Sequence, residues 1–133
     1  MDIIEYLNTQ DRFAAHCGAT LISATADTAS VRMTVGKEHL NAAGGCQGGA
    51  VFTLADLAMA AVMNNGEFIT LTTSCTVEYL HSAVEGDVLT ATASCEGVTT
   101  RLPHCLTKVC NQDGVLIAVM SGRGYRKKDR ITF

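Results

Sequence analysis

The chain has 133 residues, of which 17% are charged and 47% are hydrophobic, and its formal net charge is -3. This length predicts a single domain over residues 1–133 with a folded core, and the negative charge argues against nucleic-acid binding, which needs a basic surface. No apolar run reaches the roughly 18 residues of a membrane helix, and the acidic N-terminus does not resemble a signal peptide. We therefore expect a cytoplasmic protein that does not bind membranes.

A weak helix and two strands come first along the chain. Residues 3–16 carry apolar side chains at an irregular helical period. Residues 18–27 and 28–35 are typical of two strands, and a turn near Asp27 separates them. This opening segment predicts a helix followed by a hairpin.

A long apolar helix follows a loop that contains several glycines, at residues 36–48. Residues 49–64 are almost entirely apolar, and a helix of this kind must be buried on most sides. The sequence Asn-Asn-Gly-Glu at 64–67 ends the helix, since Asn and Gly tolerate a left-handed stop. Within this helix Asp56 is the one charged residue.

Four strand candidates fill the rest of the chain, at residues 68–81, 87–96, 104–112 and 115–126. Turn signals separate them and no helix-length pattern interrupts them, so an antiparallel sheet is predicted. The economical arrangement is a curved antiparallel sheet wrapped around the central helix at about residues 49–64. The predicted fold class is α+β.

Six cysteines are present, but none forms a Cys-x-x-Cys pair, so the spacing predicts no metal site. We expect structural thiols that pack as small apolar side chains. Cys46 is the exception because it lies in the glycine-containing loop beside the helix start. A nucleophilic Cys46 with His39 as its base is an alternative that the sequence leaves open.

Asp56 is the main catalytic candidate. A buried carboxylate is costly unless it is paired or used. The structural alternative is a carboxylate that is capped by a backbone amide or by Arg32 or Arg101. The functional interpretation is a general base or a nucleophile.

Further polar groups flank the helix start. Gly48 and Gly49 expose backbone N–H groups at the positive end of the helix dipole, which suits a carbonyl oxygen that gains negative charge. Asn41 and Gln47 are amides in the preceding loop and could hold a water or a carbonyl group. Ser74 lies on a strand after the helix. Each of these residues taken alone is also compatible with an ordinary structural role.

The segment HLNAAGGCQGGAVFTLADLAMAAVMN, followed by SCTVEYL, resembles the hotdog-fold acyl-CoA thioesterases, especially the phenylacetyl-CoA-thioesterase-like branch. The likeness covers residues 39–80 in motif and nearly the whole chain in element order. It implies hydrolysis of an acyl-CoA to a free acid and coenzyme A without a cofactor. It also implies a homodimer, or a dimer of dimers, with sites shared between subunits.

The resemblance assigns roles position by position. Asn41 matches the loop asparagine of the family, and Gly48 matches the amide that polarises the thioester carbonyl. Asp56 matches the catalytic acid, and Ser74 matches the strand hydroxyl that helps to hold the attacking water. Gln47 departs from the pattern, because the branch usually has His there and Gln cannot transfer a proton.

The candidate substrate-binding residues form a basic group and an apolar group. Five of the ten basic residues lie in the last eleven positions, which suggests a landing site for coenzyme A phosphates. The basic candidates are Arg101, Arg126, Lys127 and Lys128. The candidates beside the acyl group are Gly49, Phe52, Met59 and Met63.

Helix geometry supports a shared site. Gly48 and Asp56 are eight residues apart, which on one helix is roughly 12 Å. An Asp side chain and one water span only about half of that distance, so antiparallel helices from two subunits would bring the two groups together.

Two other functions stay open on the sequence. One is a non-catalytic acyl-CoA-binding or scaffold hotdog protein, which would account for Gln47, and the other is an acyltransferase that uses Cys46. A hotdog dehydratase is disfavoured, because its His is expected near the helix and position 47 is Gln. A Ser-His-Asp hydrolase is excluded, since no Gly-x-Ser-x-Gly motif is present.

Overall fold

The computed structural model describes residues 1–96 and 100–133, and in them six strands form one antiparallel sheet. The order across the sheet is β1-β2-β4-β5-β6-β3. In chain order the elements are α1 Ile3–Gln10, α2 Arg12–His16, β1 Thr20–Ala24, β2 Thr28–Thr34, a 3-10 turn Lys37–His39, α3 Gly48–Met63, β3 Phe68–Tyr79, β4 Val88–Glu96, β5 His104–Cys110 and β6 Leu116–Arg130. The predicted α+β class, with a curved antiparallel sheet around one long apolar helix, is confirmed.

The N-terminal segment is two short helices and not the one weak helix predicted over residues 3–16. Asp11 separates them, because its backbone N–H caps the end of α1 and its carboxylate accepts the N–H of Ala14 at the start of α2, at 3.1 Å. An Asp at this position favours a helix start over helix continuation.

Helix α3 packs mainly against β2 and β4, and most of its side chains are buried. Its end at residue 64 is confirmed, but the predicted left-handed stop is wrong, since φ of Asn64 is -107°. The Asn64 side chain ends the helix instead: its Nδ2 donates to the Ala60 carbonyl, and its Oδ1 accepts the N–H of Thr70. These bonds also fix where β3 starts.

One stripe of α3 is left partly uncovered by the rest of the chain. From Val51 to Met63 the residues that are not buried are Phe52, Thr53, Asp56 and Ala60, and we call them the open stripe. Beside it, the twelve-residue strand β3 pairs only with β6 and forms one edge of the sheet. An unpaired edge of this length is a surface on which another strand can add.

Two of the six cysteines are not free thiols. Cys95 and Cys105 lie opposite each other on β4 and β5 and form a disulfide. The expectation of structural thiols is therefore wrong for this pair, because the antiparallel register brings the two positions face to face. Among the described residues no group of three His, Cys, Asp or Glu could hold a metal ion. None of the described helices is long and apolar enough to cross a membrane.

Candidate active site

Asp56 lies half-buried at the centre of the open stripe. Its carboxylate makes no hydrogen bond or ion pair with any residue that the structure describes, so the alternative of pairing with Arg32 or Arg101 finds no support. Burial raises the pKa of Asp56 above its ordinary value, and the negative charge of Asp11 raises it further. A carboxylate with a raised pKa is a stronger base than a surface aspartate.

The N-terminus of α3 presents one unused backbone donor. The carbonyl and the side chain of Gln47 cap the helix, and its Oε1 accepts the N–H of Gly49 at 2.8 Å. The N–H of Gly48 has no acceptor among the described residues. It lies at the positive end of the helix dipole and can receive an oxyanion.

Tyr79, at the end of β3, is a site residue that the sequence analysis missed. Its hydroxyl donates to the Gly48 carbonyl at 2.9 Å. A Cβ atom at position 48 would lie 2.9 Å from Cζ of Tyr79, so glycine lets the ring lie over this position, and any other residue would push the ring aside. The sequence signal was weak, since an aromatic residue at a strand end is common.

A pocket of about 420 Å³ opens beside Gly48, and we call it the Gly48 pocket. The Cys46 N–H donates to the Ala83 carbonyl at 2.8 Å, so the loop before α3 is tied to the segment after β3. The residues that line the pocket are Cys46, Gly48, Val51, Tyr79, Leu80, His81, Ser82, Ala83 and Ile117.

The side-chain oxygens of Asn41 and Gln47 already accept hydrogen bonds from backbone N–H groups. Oδ1 of Asn41 accepts the N–H groups of Ala43 and Gly45, and Oε1 of Gln47 caps α3. Both side chains are exposed, and their NH₂ groups are left as donors. They can therefore stabilise negative charge on a carbonyl oxygen but cannot take a proton from water.

The structure argues against Cys46 as a nucleophile. His39, its proposed base, is buried, with Nδ1 accepting the N–H of Gly36 and Nε2 donating to the Cys17 carbonyl. Burial raises the pKa of the Cys46 thiol, and the charge of Asp87 raises it further, which disfavours the reactive thiolate. The sequence could not reveal that His39 is used to hold the loop.

Ser74 is exposed on β3 and forms no hydrogen bond with Asp56 in this chain. It lines a shallow pocket with Thr76, His104 and Arg123 on the outer face of the sheet. Its neighbour Cys75 packs toward the core, and there burial and the charge of Asp56 raise the pKa of the thiol. A bulge between Thr72 and Ser74 interrupts the pairing of β3 with β6 just before this serine. The role of Ser74 in holding a water for Asp56 stays an untested prediction.

Two of the four basic candidates, Arg101 and Arg126, form hydrogen bonds with other residues of the chain. The guanidinium of Arg126 donates to the Thr70 hydroxyl and to the carbonyls of Met63 and Thr100, and burial lowers its pKa. Arg101 donates to the Arg126 carbonyl and stacks over Tyr125. Both arginines therefore have partners within the chain, but they also line the pocket that contains Lys127 and Lys128, and the prediction that they bind phosphates stays untested.

Lys127 and Lys128 remain as basic candidates. Lys127 pairs with Asp129 at 3.7 Å, while Lys128 is exposed. Both line a pocket of about 280 Å³ near the end of α3, fifteen residues from Gly48 along the helix. That spacing is roughly 22 Å at the rise of an α-helix.

The expected apolar wall is only partly present. Met59 is fully buried against Gly122, and Met63 is nearly buried against Gly124 at the far end of α3. Neither lies beside Gly48 within one chain, and their prediction as acyl contacts stays untested. Phe52 lies on the open stripe one turn before Asp56, and Gly49 is exposed at the helix start.

A six-stranded antiparallel sheet around one apolar helix, with a carboxylate in the helix and a free amide at its N-terminus, is a hotdog architecture with a candidate hydrolytic site. Known proteins with similar sequences and structures support the hotdog assignment. The sequence profile of the Thioesterase superfamily matches residues 43–118. The chain belongs to this superfamily, in its PaaI-like branch, and is a thioester hydrolase.

Individual relatives are similar over most of their length. A putative esterase of Archaeoglobus fulgidus is 34% identical, over 92% of this chain and 79% of the relative. Acyl-coenzyme A thioesterase PaaI of Escherichia coli is 32% identical, over 92% of this chain and 87% of the relative. The solved structure of the E. coli PaaI protein from the phenylacetic acid degradation operon superposes with a TM-score of 0.91, at 30% identity, over 96% of this chain and 93% of that one.

Proposed function

We propose that this protein hydrolyses acyl-CoA thioesters to a free acid and coenzyme A, with Asp56 as the catalytic carboxylate. The observation that carries the proposal is an unpaired, half-buried Asp56 on the open stripe of an otherwise apolar helix. The similarity to acyl-coenzyme A thioesterase PaaI supports the substrate class. The acyl group that the open stripe accepts beside Phe52 is apolar, either aryl or of medium chain length.

The active unit is a dimer with sites shared between subunits. Gly48 and Asp56 are too far apart on one helix to act on the same thioester, because eight residues span roughly 12 Å. Two antiparallel copies of α3, facing each other along their open stripes, set Gly48 of one subunit opposite Asp56 of the other. The unpaired edge of β3 offers the second contact between subunits.

In this arrangement the amide of Gly48 polarises the thioester carbonyl, and the NH₂ groups of Asn41 and Gln47 are additional donors. Asp56 of the other subunit either takes a proton from the attacking water or attacks the carbonyl carbon itself to give an anhydride. Its raised pKa favours the first role, because a stronger base accepts the proton of water more readily.

The dimer also brings the basic residues closer to the reaction. Met63, at the end of α3, lies seven residues after Asp56 and fifteen after Gly48. These spacings correspond to about 10 Å and roughly 22 Å along the helix. Lys127 and Lys128 beside the end of α3 therefore lie at a distance that the pantetheine arm of coenzyme A can cover. We assign the phosphate contacts to these two lysines.

Lys127→Gln/Lys128→Gln is expected to raise KM for an acyl-CoA roughly threefold to tenfold, the scale of exposed ion pairs. The variant should leave kcat unchanged and weaken the salt dependence of KM, which steady-state kinetics at several ionic strengths will measure. The charge-matched control is Arg32→Gln/Lys108→Gln, two exposed positions on the outer face of the sheet. An equal rise in KM for both variants would assign the effect to net charge alone.

Arg126→Met tests the structural assignment of that arginine. We expect it to lower the free energy of unfolding by about 2 kcal/mol, since it breaks charge-assisted hydrogen bonds to Met63, Thr70 and Thr100. KM of the folded fraction should not change. Urea unfolding and steady-state kinetics separate the two effects, and a raised KM at unchanged stability would return Arg126 to the phosphate site.

The alternative that the sequence left open is an acyl-CoA-binding protein without turnover. It rests on Gln47 in place of the His that the resemblance leads one to expect, and the similarity to acyl-coenzyme A thioesterase PaaI disfavours it. Release of free thiol from a panel of acyl-CoAs separates the two functions. Binding across the panel without turnover would reject hydrolysis.

The cytoplasmic location of the protein remains a prediction from the sequence.

A further inference from the structure

The Gly48 pocket contains an imidazole that the mechanism above does not use. His81 lies two residues beyond Tyr79, and its exposed side chain makes no hydrogen bond or ion pair with the described residues. Its backbone is held firmly, because the N–H groups of Leu80 and His81 both donate to the Ile117 carbonyl, at 2.8 and 3.2 Å. A free side chain on a fixed backbone is suited to contact a ligand.

The other side chains around Gly48 cannot donate a proton readily. The Tyr79 hydroxyl is committed to the Gly48 carbonyl, and burial raises the pKa of Tyr79. Burial and Asp87 likewise raise the pKa of Cys46, and Gln47 has no proton to transfer. Imidazole is the side chain that exchanges protons near neutral pH.

The direction of the substrate follows from the polarity of the two sides of Gly48. Phe52 and Ala60 give the open stripe an apolar surface for the acyl group, whereas the Gly48 pocket opens to solvent past the exposed residues His81 and Ser82. With the carbonyl oxygen at the Gly48 amide, the sulfur and the pantetheine arm leave through this pocket. His81 lines the exit.

We propose that His81 is a further catalytic residue that protonates the sulfur of the departing thiol. The inference rests on the proposed function. Water adds its oxygen to the thioester carbon and gives one proton to Asp56 of the other subunit. When the adduct collapses, the C–S bond breaks, the electron pair goes to sulfur, and the imidazolium N–H proton of His81 bonds to it. Asp56 then loses its proton to solvent and His81 regains one, so the products are the acid and the thiol.

The experiment compares leaving groups that need a proton to different degrees. The probes are hexanoyl thioesters of N-acetylcysteamine, thiophenol and 4-nitrothiophenol, in order of increasing acidity of the thiol. His81→Gln should lower kcat about tenfold to a hundredfold with the alkyl thioester, at or below the low end for general acids. It should change kcat less than about twofold with the nitrophenyl thioester, whose thiolate leaves without help.

The matched control is His16→Gln, an exposed imidazole at the end of α2 outside the Gly48 pocket, which should behave as wild type with every probe. Circular dichroism and size-exclusion chromatography show whether each variant is folded. Equal losses on all three probes, or no loss, overturn the assignment of His81 while acyl-CoA hydrolysis by the wild type stands. A wild-type protein that cleaves no thioester overturns the proposed function, and the His81 step with it.

Discussion

Asp56→Asn is expected to lower kcat for acyl-CoA hydrolysis by on the order of 100-fold or more, the scale of losing a general base or nucleophile. The amide keeps the size of the side chain but can neither take a proton from water nor attack a thioester. Thiol release under saturating substrate measures the loss. Wild-type kcat should rise with pH as Asp56 loses its proton, at a pH above the ordinary range of an aspartate. The kcat of the variant should not show this rise.

The same substitution should not destabilise the fold. Burial raises the pKa of Asp56 in the folded state above its value in the unfolded chain, so the folded state holds the proton more tightly. The free energy of unfolding therefore falls as pH rises through that range, and at neutral pH the charged Asp56 costs stability. Asp56→Asn removes this cost, and its Tm at pH 7 should equal or exceed that of the wild type.

Asp87→Asn is the contrasting control. The pKa of Asp87 is lowered by the Val84 N–H and by Gln112, which donate to its carboxylate. A lowered pKa means that ionised Asp87 stabilises the fold above the pKa of the unfolded chain, so this variant should lose stability at pH 7. Equal Tm changes in the two variants would contradict the opposite pKa shifts of the two carboxylates.

For the catalytic role of Asp56, unchanged turnover in a folded Asp56→Asn variant would reject it as the catalytic carboxylate.

Mixed dimers should regain activity if each site is shared. Asp56→Asn lacks the carboxylate in both sites, and Gly48→Val places a branched side chain against the Tyr79 ring in both Gly48 pockets. After random exchange of subunits, about half of the dimers carry one of each, and each mixed dimer has one intact site. The mixture should therefore recover about a quarter of the wild-type rate.

Differently tagged chains allow the mixed dimers to be isolated, so that failure of exchange is not mistaken for lack of complementation. Isolated mixed dimers of Asp56→Asn and wild type serve as the control, since each retains one intact site whether or not the sites are shared. Isolated mixed dimers of Asp56→Asn and Gly48→Val that stay inactive would contradict a shared site. Activity in a wild-type monomer at low concentration would contradict it as well.

Much of the fold follows from local patterns in the sequence. The apolar run at 49–64 predicted a buried helix, and the turn signals after it predicted four antiparallel strands. Both predictions are confirmed, because the apolar pattern and the turn residues that carry them lie close together in the chain. The strand ends differ from the prediction where pairing between distant segments decides them. The last strand was predicted to end at residue 126, but β6 extends to Arg130 because it pairs with the start of β3 at Phe68.

The sequence by itself determined the class of the protein and the identity of its lone helical carboxylate, since an isolated Asp in an apolar helix is visible without coordinates. Only the tertiary structure decided which other groups accompany it. It tied His39 and Arg126 into internal hydrogen bonds, buried Met59, and brought Tyr79 and His81 to Gly48. The reason is physical: a side chain's availability depends on partners that are distant in the chain, and neither composition nor spacing records them.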